Sequence, residues 1–282
     1  MLFCKTTLNM LLNIFLNQMI FLAVMTDLKR YEQFDYLHTF LQFLKRFPTN
    51  IRPKNLVAQK TISSLAALSI DNLALNGIKG IIWDVDGTLV GYHGKSLDET
   101  AREKLEQSIA AGLQNVILSN SGEERFNELG RIFAGYDVKV ACGYQRKKNA
   151  IGPLYVTRVI YHGEDTCFYE DIGRRKQLVS FDPLNYKKLK KPNPDLIDIA
   201  VREMSNDYST SHQMPAIPSY QIAMVGDKAF TDISGGNQAG CFTVQIKPPM
   251  QPKKDPILAR VGRALEYGIL AVYRAVGLVK KK

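Results

Sequence analysis

Two aspartates near residue 85 are the side chains with the clearest capacity for chemistry. Asp84-Val85-Asp86-Gly87-Thr88 directly follows Ile81-Ile82-Trp83, an apolar run typical of a buried strand. Ligands bind at the carboxyl ends of parallel strands in an α/β sheet. The two carboxylates would repel each other, so the pair favours a cation such as Mg²⁺, which prefers carboxylate and carbonyl oxygens. Thr88 offers a hydroxyl to hold Asp84. A simple Asp-Gly turn between two strands is the alternative.

A second pair of aspartates follows another apolar run. Gln221–Gly226 is typical of a strand, Asp227 follows it directly, and Asp232 comes after Thr231, which can cap a helix. These carboxylates would supply the additional oxygens that a divalent ion requires. Taken alone, Asp227 and Asp232 are explained equally well as a turn residue and part of a helix cap.

Two other segments suit the binding of an anion. The apolar strand Val116–Leu118 ends in Ser119 and Asn120, ahead of a helical pattern. Such a junction presents free N–H groups to a phosphate. Lys191 begins another helical pattern, with a proline in the first turn. Lys191 is preferred within its basic run because it adjoins the helix start, and Lys190 stays an alternative.

Together these segments resemble the four motifs of the haloacid dehalogenase (HAD) superfamily of phosphatases. The motifs are matched, in order, by Asp84-x-Asp86-x-Thr88, Ser119, Lys191, and Gly226-Asp227 through Asp232. The short connection from Thr88 to Val116 leaves no room for a cap domain there, and Thr231–Asn237 is similar to subfamily IIIA. Within that subfamily the chain most resembles the bacterial and mitochondrial phosphatidylglycerophosphate phosphatases, over about residues 70–140 and 187–282.

The resemblance implies phosphoryl transfer through an aspartyl-phosphate, with Mg²⁺ as the cofactor. Asp84 would be the nucleophile, and Asp86 the general acid and then the general base. The implied metal ligands are Asp84, Asp86 through its carbonyl oxygen, Asp227 and, as a further ligand or an orienting group, Asp232. The residues implied on the substrate side are Thr88, Ser119, the Asn120 N–H and Lys191.

Apolar runs alternate with amphipathic helical patterns over residues 77–246, which predicts an α/β fold. The expected core is a three-layer, Rossmann-like parallel sheet without a large cap domain. Within it, residues 142–186 are rich in β-forming residues and predict a small insertion beside the site. That insertion would gate access, contact the substrate or be a surface embellishment. The polar residues 205–219 predict a flexible loop.

Residues 1–76 are interpreted as an apolar, helical N-terminal extension. Their longest unbroken apolar stretch, Met19–Met25, is far shorter than the roughly 20 residues that span a bilayer. An anchor lying in the membrane interface and a translation start at Met25 both remain open.

The C-terminal segment 247–282 predicts a basic amphipathic helix. The chain has a net charge of +10, and residues 253–282 have eight basic residues against two acidic ones. Aliphatic residues recur there at helical spacing, which suits peripheral contact with an anionic phospholipid surface. Packing of this helix on the sheet is an equally good explanation. Nucleic acid is disfavoured, because aliphatic rather than aromatic residues separate the charges.

Cysteine usage indicates a reducing compartment. The four cysteines lack the spacing of a disulfide framework, which fits the cytoplasmic or matrix side of a membrane. The four histidines show no metal-ligand spacing.

The favoured hypothesis is a phosphatidylglycerophosphate phosphatase, and the alternative is a phosphatase for soluble sugar or nucleotide phosphates. A non-catalytic binding protein is disfavoured because all four aspartates are present.

Overall fold

The computed structural model describes residues 52–91, 94–149, 152–161, 164–167, 191–192, 194–213, 215–250, 257–275 and 277–279. These residues belong to one compact unit within residues 43–282. The apolar N-terminal stretch, residues 168–186 of the predicted insertion, Lys190 and the three C-terminal lysines lie outside the described residues.

The described residues form a sheet of eight strands. The strands are β1 Lys60–Ile62, β2 Gly80–Trp83, β3 Gln114–Ser119, β4 Lys139–Asn149, β5 Gly152–Tyr161, β6 Glu164–Cys167, β7 Ile222–Gly226 and β8 Phe242–Ile246. Their order is β1-β8-β7-β2-β3-β4-β5-β6. Neighbours from β1 through β4 are parallel, whereas β5 and β6 join the edge antiparallel. The predicted α/β fold is confirmed, and the antiparallel edge lies where β structure was expected.

Helices cover both faces of the sheet. They are α1 Pro53–Leu56, α2 Ile70–Leu75, α3 Glu99–Ala110, α4 Glu123–Ile132, α5 Pro194–His212, α6 Ser234–Gln238 and α7 Ile257–Ala275. α3 and α4 pack with Ile81 and Trp83 on one face, and α5 packs with Ile82 on the other. Because β2 is buried on both faces, its sequence is a continuous apolar run. The three layers agree with the predicted architecture.

Two segments differ from the sequence-based expectation. Residues 60–62 form β1 beside β8, a strand too short to show an alternating pattern within the predicted helical extension. Residues 205–212 continue α5 rather than forming a loop. Ser205 is buried there, and Asp207 together with Glu203 binds the ammonium of Lys139 at 2.8 Å. Acidic side chains of α5 therefore bind β4 through Lys139.

The connection between β2 and β3 is short, as predicted. Among its described residues it contains one helix, α3, and no separate domain. None of the described helices combines the length and the apolar character needed to cross a bilayer.

Candidate active site

The carboxyl ends of β2 and β7 bring three aspartates together. These strands are parallel neighbours with Trp83 paired to Val225, so Asp84 and Asp227 leave the sheet side by side. Asp232 lies in the π-helical turn Ala229–Ile233 that follows β7. One carboxylate oxygen from each aspartate lies within 4.8 Å of the other two, and all three residues are buried. Such a cluster requires compensating positive charge.

Two glycines permit this close approach. Gly87 has a φ of 92°, and a Cβ on it would lie 2.8 Å from Oδ2 of Asp227. A Cβ on Gly226 would collide with the side chain of Asp232. The Asp-x-Asp-Gly and Gly-Asp sequences therefore have a steric basis, because only glycine leaves space for the neighbouring carboxylates.

Lys191 supplies the central positive charge of the cluster. Its side chain is 2% exposed, and its ammonium donates to Oδ1 of Asp84 at 2.5 Å. The same ammonium lies 2.8 Å from Oδ1 of Asp232 and donates to the Leu118 carbonyl at 3.1 Å. Asp232 also accepts the backbone N–H of Lys228 at 3.0 Å, so it holds both Lys191 and the chain after Asp227. The structure thus links the third and fourth motifs through one buried ammonium.

Asn120 and Ser119 lie beside this lysine, at the end of β3. The Asn120 side chain accepts the Lys191 N–H at 2.8 Å and donates to the Lys191 carbonyl at 3.0 Å. This two-point contact fixes the lysine backbone, a role that the sequence did not suggest for the Asn120 side chain. Ser119 is buried, and its hydroxyl contacts the hydroxyl of Ser121 and accepts the Ser121 N–H at 3.2 Å.

Electrostatic interactions set the protonation of the cluster. Burial alone would raise the pKa of Asp84, but the charges of Lys191 and Lys228 hold it below its ordinary value. Burial and the charge of Asp84 raise the pKa of Asp232. Burial would lower the pKa of Lys191, but its carboxylate partners Asp232 and Asp84 raise it. Asp84 is therefore kept ionised, as a nucleophile must be.

The Asp86 carboxylate is not part of the cluster of the other three aspartates and is bound by an arginine. Oδ1 of Asp86 accepts a hydrogen bond from Nη2 of Arg125 at 3.0 Å. Arg125 is buried and also donates to the Gly94 carbonyl at 2.9 Å, which ties Asp86 to the loop before α3. Thr88 is fully buried, and its hydroxyl lies 3.4 Å from Oδ2 of Asp84. The two aspartates of the first motif therefore have different surroundings, as different protonation roles require.

The oxygen atoms beside Asp227 suit a hard divalent cation. Oδ1 of Asp227 is buried and accepts no hydrogen bond from the described residues. The Lys228 ammonium lies 3.9 Å from this oxygen and 3.5 Å from the carbonyl oxygen of Asp86. Carboxylate and carbonyl oxygens are the preferred ligands of Mg²⁺. Asp84, the Asp86 carbonyl and Asp227 thus fit the ion that the resemblance implies, with Asp232 adjacent.

Four charged residues at the site were not predicted from the sequence: Arg125, Lys228, Arg263 and Glu266. Arg263 and Glu266 are buried on α7, where Nη1 of Arg263 donates to Oδ2 of Asp227. Glu266 accepts the N–H groups of Phe230 at 3.0 Å and Ala229 at 3.3 Å. The one sequence signal for Arg263 and Glu266 was that they lie three residues apart in a helical pattern, which places them on the same face of a helix. Nothing in the sequence indicated that this basic face would be buried.

Two comparisons of the sequence with known proteins found similar hydrolases. Residues 188–248 match the family model described as HAD-hyrolase-like, a segment that contains Lys191, Asp227 and Asp232. The chain is 22% identical over 219 residues to the "Probable phosphatase YqeG" of Bacillus subtilis (strain 168), covering 78% of this chain and 92% of that protein. These matches support a hydrolase of the HAD-like superfamily.

Solved structures with partial similarity include two from bacteria. A haloacid dehalogenase-like hydrolase from Brucella suis 1330 has 15% identity and a TM-score of 0.37, over 65% of this chain and 93% of that one. NagD from E. coli K-12 has 18% identity and a TM-score of 0.33, over 63% of this chain and 91% of that one.

Glu266 should make the stability of the protein depend on pH. Burial raises the pKa of Glu266 to about 7, against its ordinary value of 4.5, despite the N–H groups of Phe230 and Ala229 and the charge of Lys228. The folded protein then binds this proton more tightly than the unfolded chain does. The protonated Glu266 therefore makes its full contribution to the stability of the fold below pH 4.5. It should be lost, by about 3 kcal/mol of unfolding free energy, as the pH rises to 7.

The matched variant Glu266→Gln cannot titrate at this position. Urea denaturation of both proteins in chelator, at several values from pH 4.5 to 7.5, measures the difference between their unfolding free energies. We expect the wild type to lose stability relative to the variant as the pH rises to 7, with little change above it. A difference that stays constant over the whole range would contradict the assignment.

Proposed function

We propose that this chain is a Mg²⁺-dependent phosphatase that hydrolyses a phosphate monoester through an aspartyl-phosphate at Asp84. The observation that carries the proposal is the buried Asp84 carboxylate, paired with Lys191 at 2.5 Å and grouped with Asp227 and Asp232. The family-model match and the probable phosphatase among the relatives support an enzyme of this class.

In the first step, an oxygen of Asp84 attacks phosphorus and the bond to the substrate alkoxide breaks. The alkoxide takes a proton from Asp86, whose carboxyl is held by Arg125. In the second step, water attacks the phosphorus of the aspartyl-phosphate and gives a proton to Asp86. The bond to Asp84 then breaks and phosphate is released. A covalent intermediate divides one difficult displacement into two easier ones.

The remaining residues of the site would stabilise the transferring phosphoryl group. Lys191 lies against Asp84, and Ser119 ends the neighbouring strand β3, which supports a role for both in binding phosphoryl oxygens. Bound to Asp84, the Asp86 carbonyl and Asp227, Mg²⁺ would supply positive charge that offsets repulsion between the carboxylate and the phosphate. Asn120, through its contacts with the Lys191 backbone, keeps the lysine in position.

The finer proposal for the substrate is phosphatidylglycerophosphate, at the cytoplasmic or matrix face of a membrane. It is supported by the likeness of Thr231–Asn237 to subfamily IIIA and by the basic C-terminal segment. One observation favours the alternative of a soluble sugar or nucleotide phosphate. Ile269, Leu270 and Tyr273 of α7 are buried, so these apolar side chains are not available to a bilayer.

Replacement of the nucleophile tests the reaction. We expect Asp84→Asn to lower kcat by at least about 10³-fold, because the amide cannot form the phosphoenzyme. The matched control is Asp71→Asn, at an exposed position on α2, which should retain wild-type activity. Phosphate release assays measure both, and thermal unfolding verifies that Asp84→Asn is folded. An active Asp84→Asn enzyme would exclude Asp84 as the nucleophile.

A substrate panel tests the lipid assignment. Purified protein with Mg²⁺ is assayed on phosphatidylglycerophosphate in mixed micelles and on soluble sugar and nucleotide monophosphates. We expect kcat/KM for the lipid to exceed that of every soluble ester by at least about tenfold. Turnover of soluble esters without turnover of the lipid would overturn the lipid substrate and leave the phosphatase reaction standing.

A further inference from the structure

The C-terminal helix α7 contributes two buried charges to the site. Arg263 and Glu266 are three residues apart and therefore share one face of the helix. They are 7% and 4% exposed, respectively. Burying charged side chains is costly unless each has a partner. Both have partners on the segment after β7, since Arg263 contacts Asp227 and Glu266 accepts the N–H groups of Ala229 and Phe230.

The two oxygens of the Asp227 carboxylate have different surroundings. Oδ2 accepts the hydrogen bond of Arg263 and lies beside Gly87. Oδ1 is buried, accepts no hydrogen bond from the described residues and faces the Lys228 ammonium at 3.9 Å. That ammonium also lies 3.5 Å from the Asp86 carbonyl. Oδ1 and the Asp86 carbonyl oxygen therefore both lie near one cationic group, the Lys228 ammonium, while Oδ2 is held by Arg263.

We infer that Arg263 is a positioning residue, which orients the Asp227 carboxylate for the cation. This inference rests on the proposed function. By holding Oδ2 of Asp227, it fixes the carboxylate so that Oδ1 is presented to the divalent ion. Groups that hydrogen-bond a metal ligand orient that ligand, and their loss typically weakens metal binding 10- to 100-fold. The C-terminal helix is thus part of the metal site.

An opposing effect is that the guanidinium repels a cation. Three features limit this repulsion. Arg263 contacts Asp227 through Oδ2 and not through Oδ1, the oxygen assigned to the cation, and the guanidinium spreads its charge over a plane. Glu266 lies on the same helical face, and its carboxylate attracts Arg263 at a pH above its pKa of about 7, where the group is ionised. Orientation of Asp227 is therefore expected to outweigh the repulsion.

Isothermal titration calorimetry of the full chain with MgCl₂ tests this inference without relying on turnover. We expect Arg263→Gln to weaken Mg²⁺ binding about 10- to 100-fold. Arg263→Lys, which keeps a cationic donor, should bind Mg²⁺ more tightly than Arg263→Gln. The matched control is Arg260→Gln, an exposed arginine one turn earlier on α7, and it should bind like the wild type.

Thermal unfolding in chelator shows which variants are folded. If Arg263→Gln does not fold, Arg263→Met, with an unbranched side chain that tolerates burial, takes its place and the same weakening is expected. If folded Arg263→Gln or Arg263→Met binds Mg²⁺ as tightly as the wild type, or more tightly, the inference about Arg263 is overturned and the proposed function is not. A wild type that binds no Mg²⁺ would overturn the proposed metal dependence as well.

Discussion

The pairing of Lys191 with Asp84 and Asp232 is the interaction on which the site depends. Three buried aspartates within 4.8 Å of one another would repel strongly in a dry environment, and one buried ammonium bonded to two of them offsets that repulsion. The surrounding structure serves to fix this ammonium. Asn120 holds the lysine backbone from the end of β3, and the Leu118 carbonyl accepts its third hydrogen bond.

The C-terminal helix shows how buried charge can join a distant segment to the candidate active site. Its basic composition is that of a helix on a membrane surface, yet Arg263 and Glu266 are buried against the residues that follow β7. Apolar residues of the same helix, among them Ile269 and Leu270, are buried as well. Removing the helix would therefore perturb the site itself, so a truncation cannot separate a membrane role from a soluble one.

The sequence predicted those parts of the structure that depend on local patterns. β2, β3 and β7 were predicted because strands buried on both faces are continuous apolar runs, and the site residues follow those runs. Contacts between distant segments outside the four motifs could not be predicted. In the sequence, the buried Arg125 and Arg263 look like surface arginines, and only their tertiary partners, Asp86 and Asp227, distinguish them. The polar end of α5 was mistaken for a loop because its pairing with Lys139 is also long-range.

Identification of the phosphorylated residue tests the central claim most directly. The enzyme is mixed with excess substrate and Mg²⁺, quenched in acid within a turnover, digested and mapped by mass spectrometry. The account predicts an acyl phosphate on the peptide that contains Asp84, at the aspartate that follows Trp83, and loss of the modification at alkaline pH. Phosphate bound to another residue, or turnover without any phosphoenzyme under conditions that trap acyl phosphates, would contradict it.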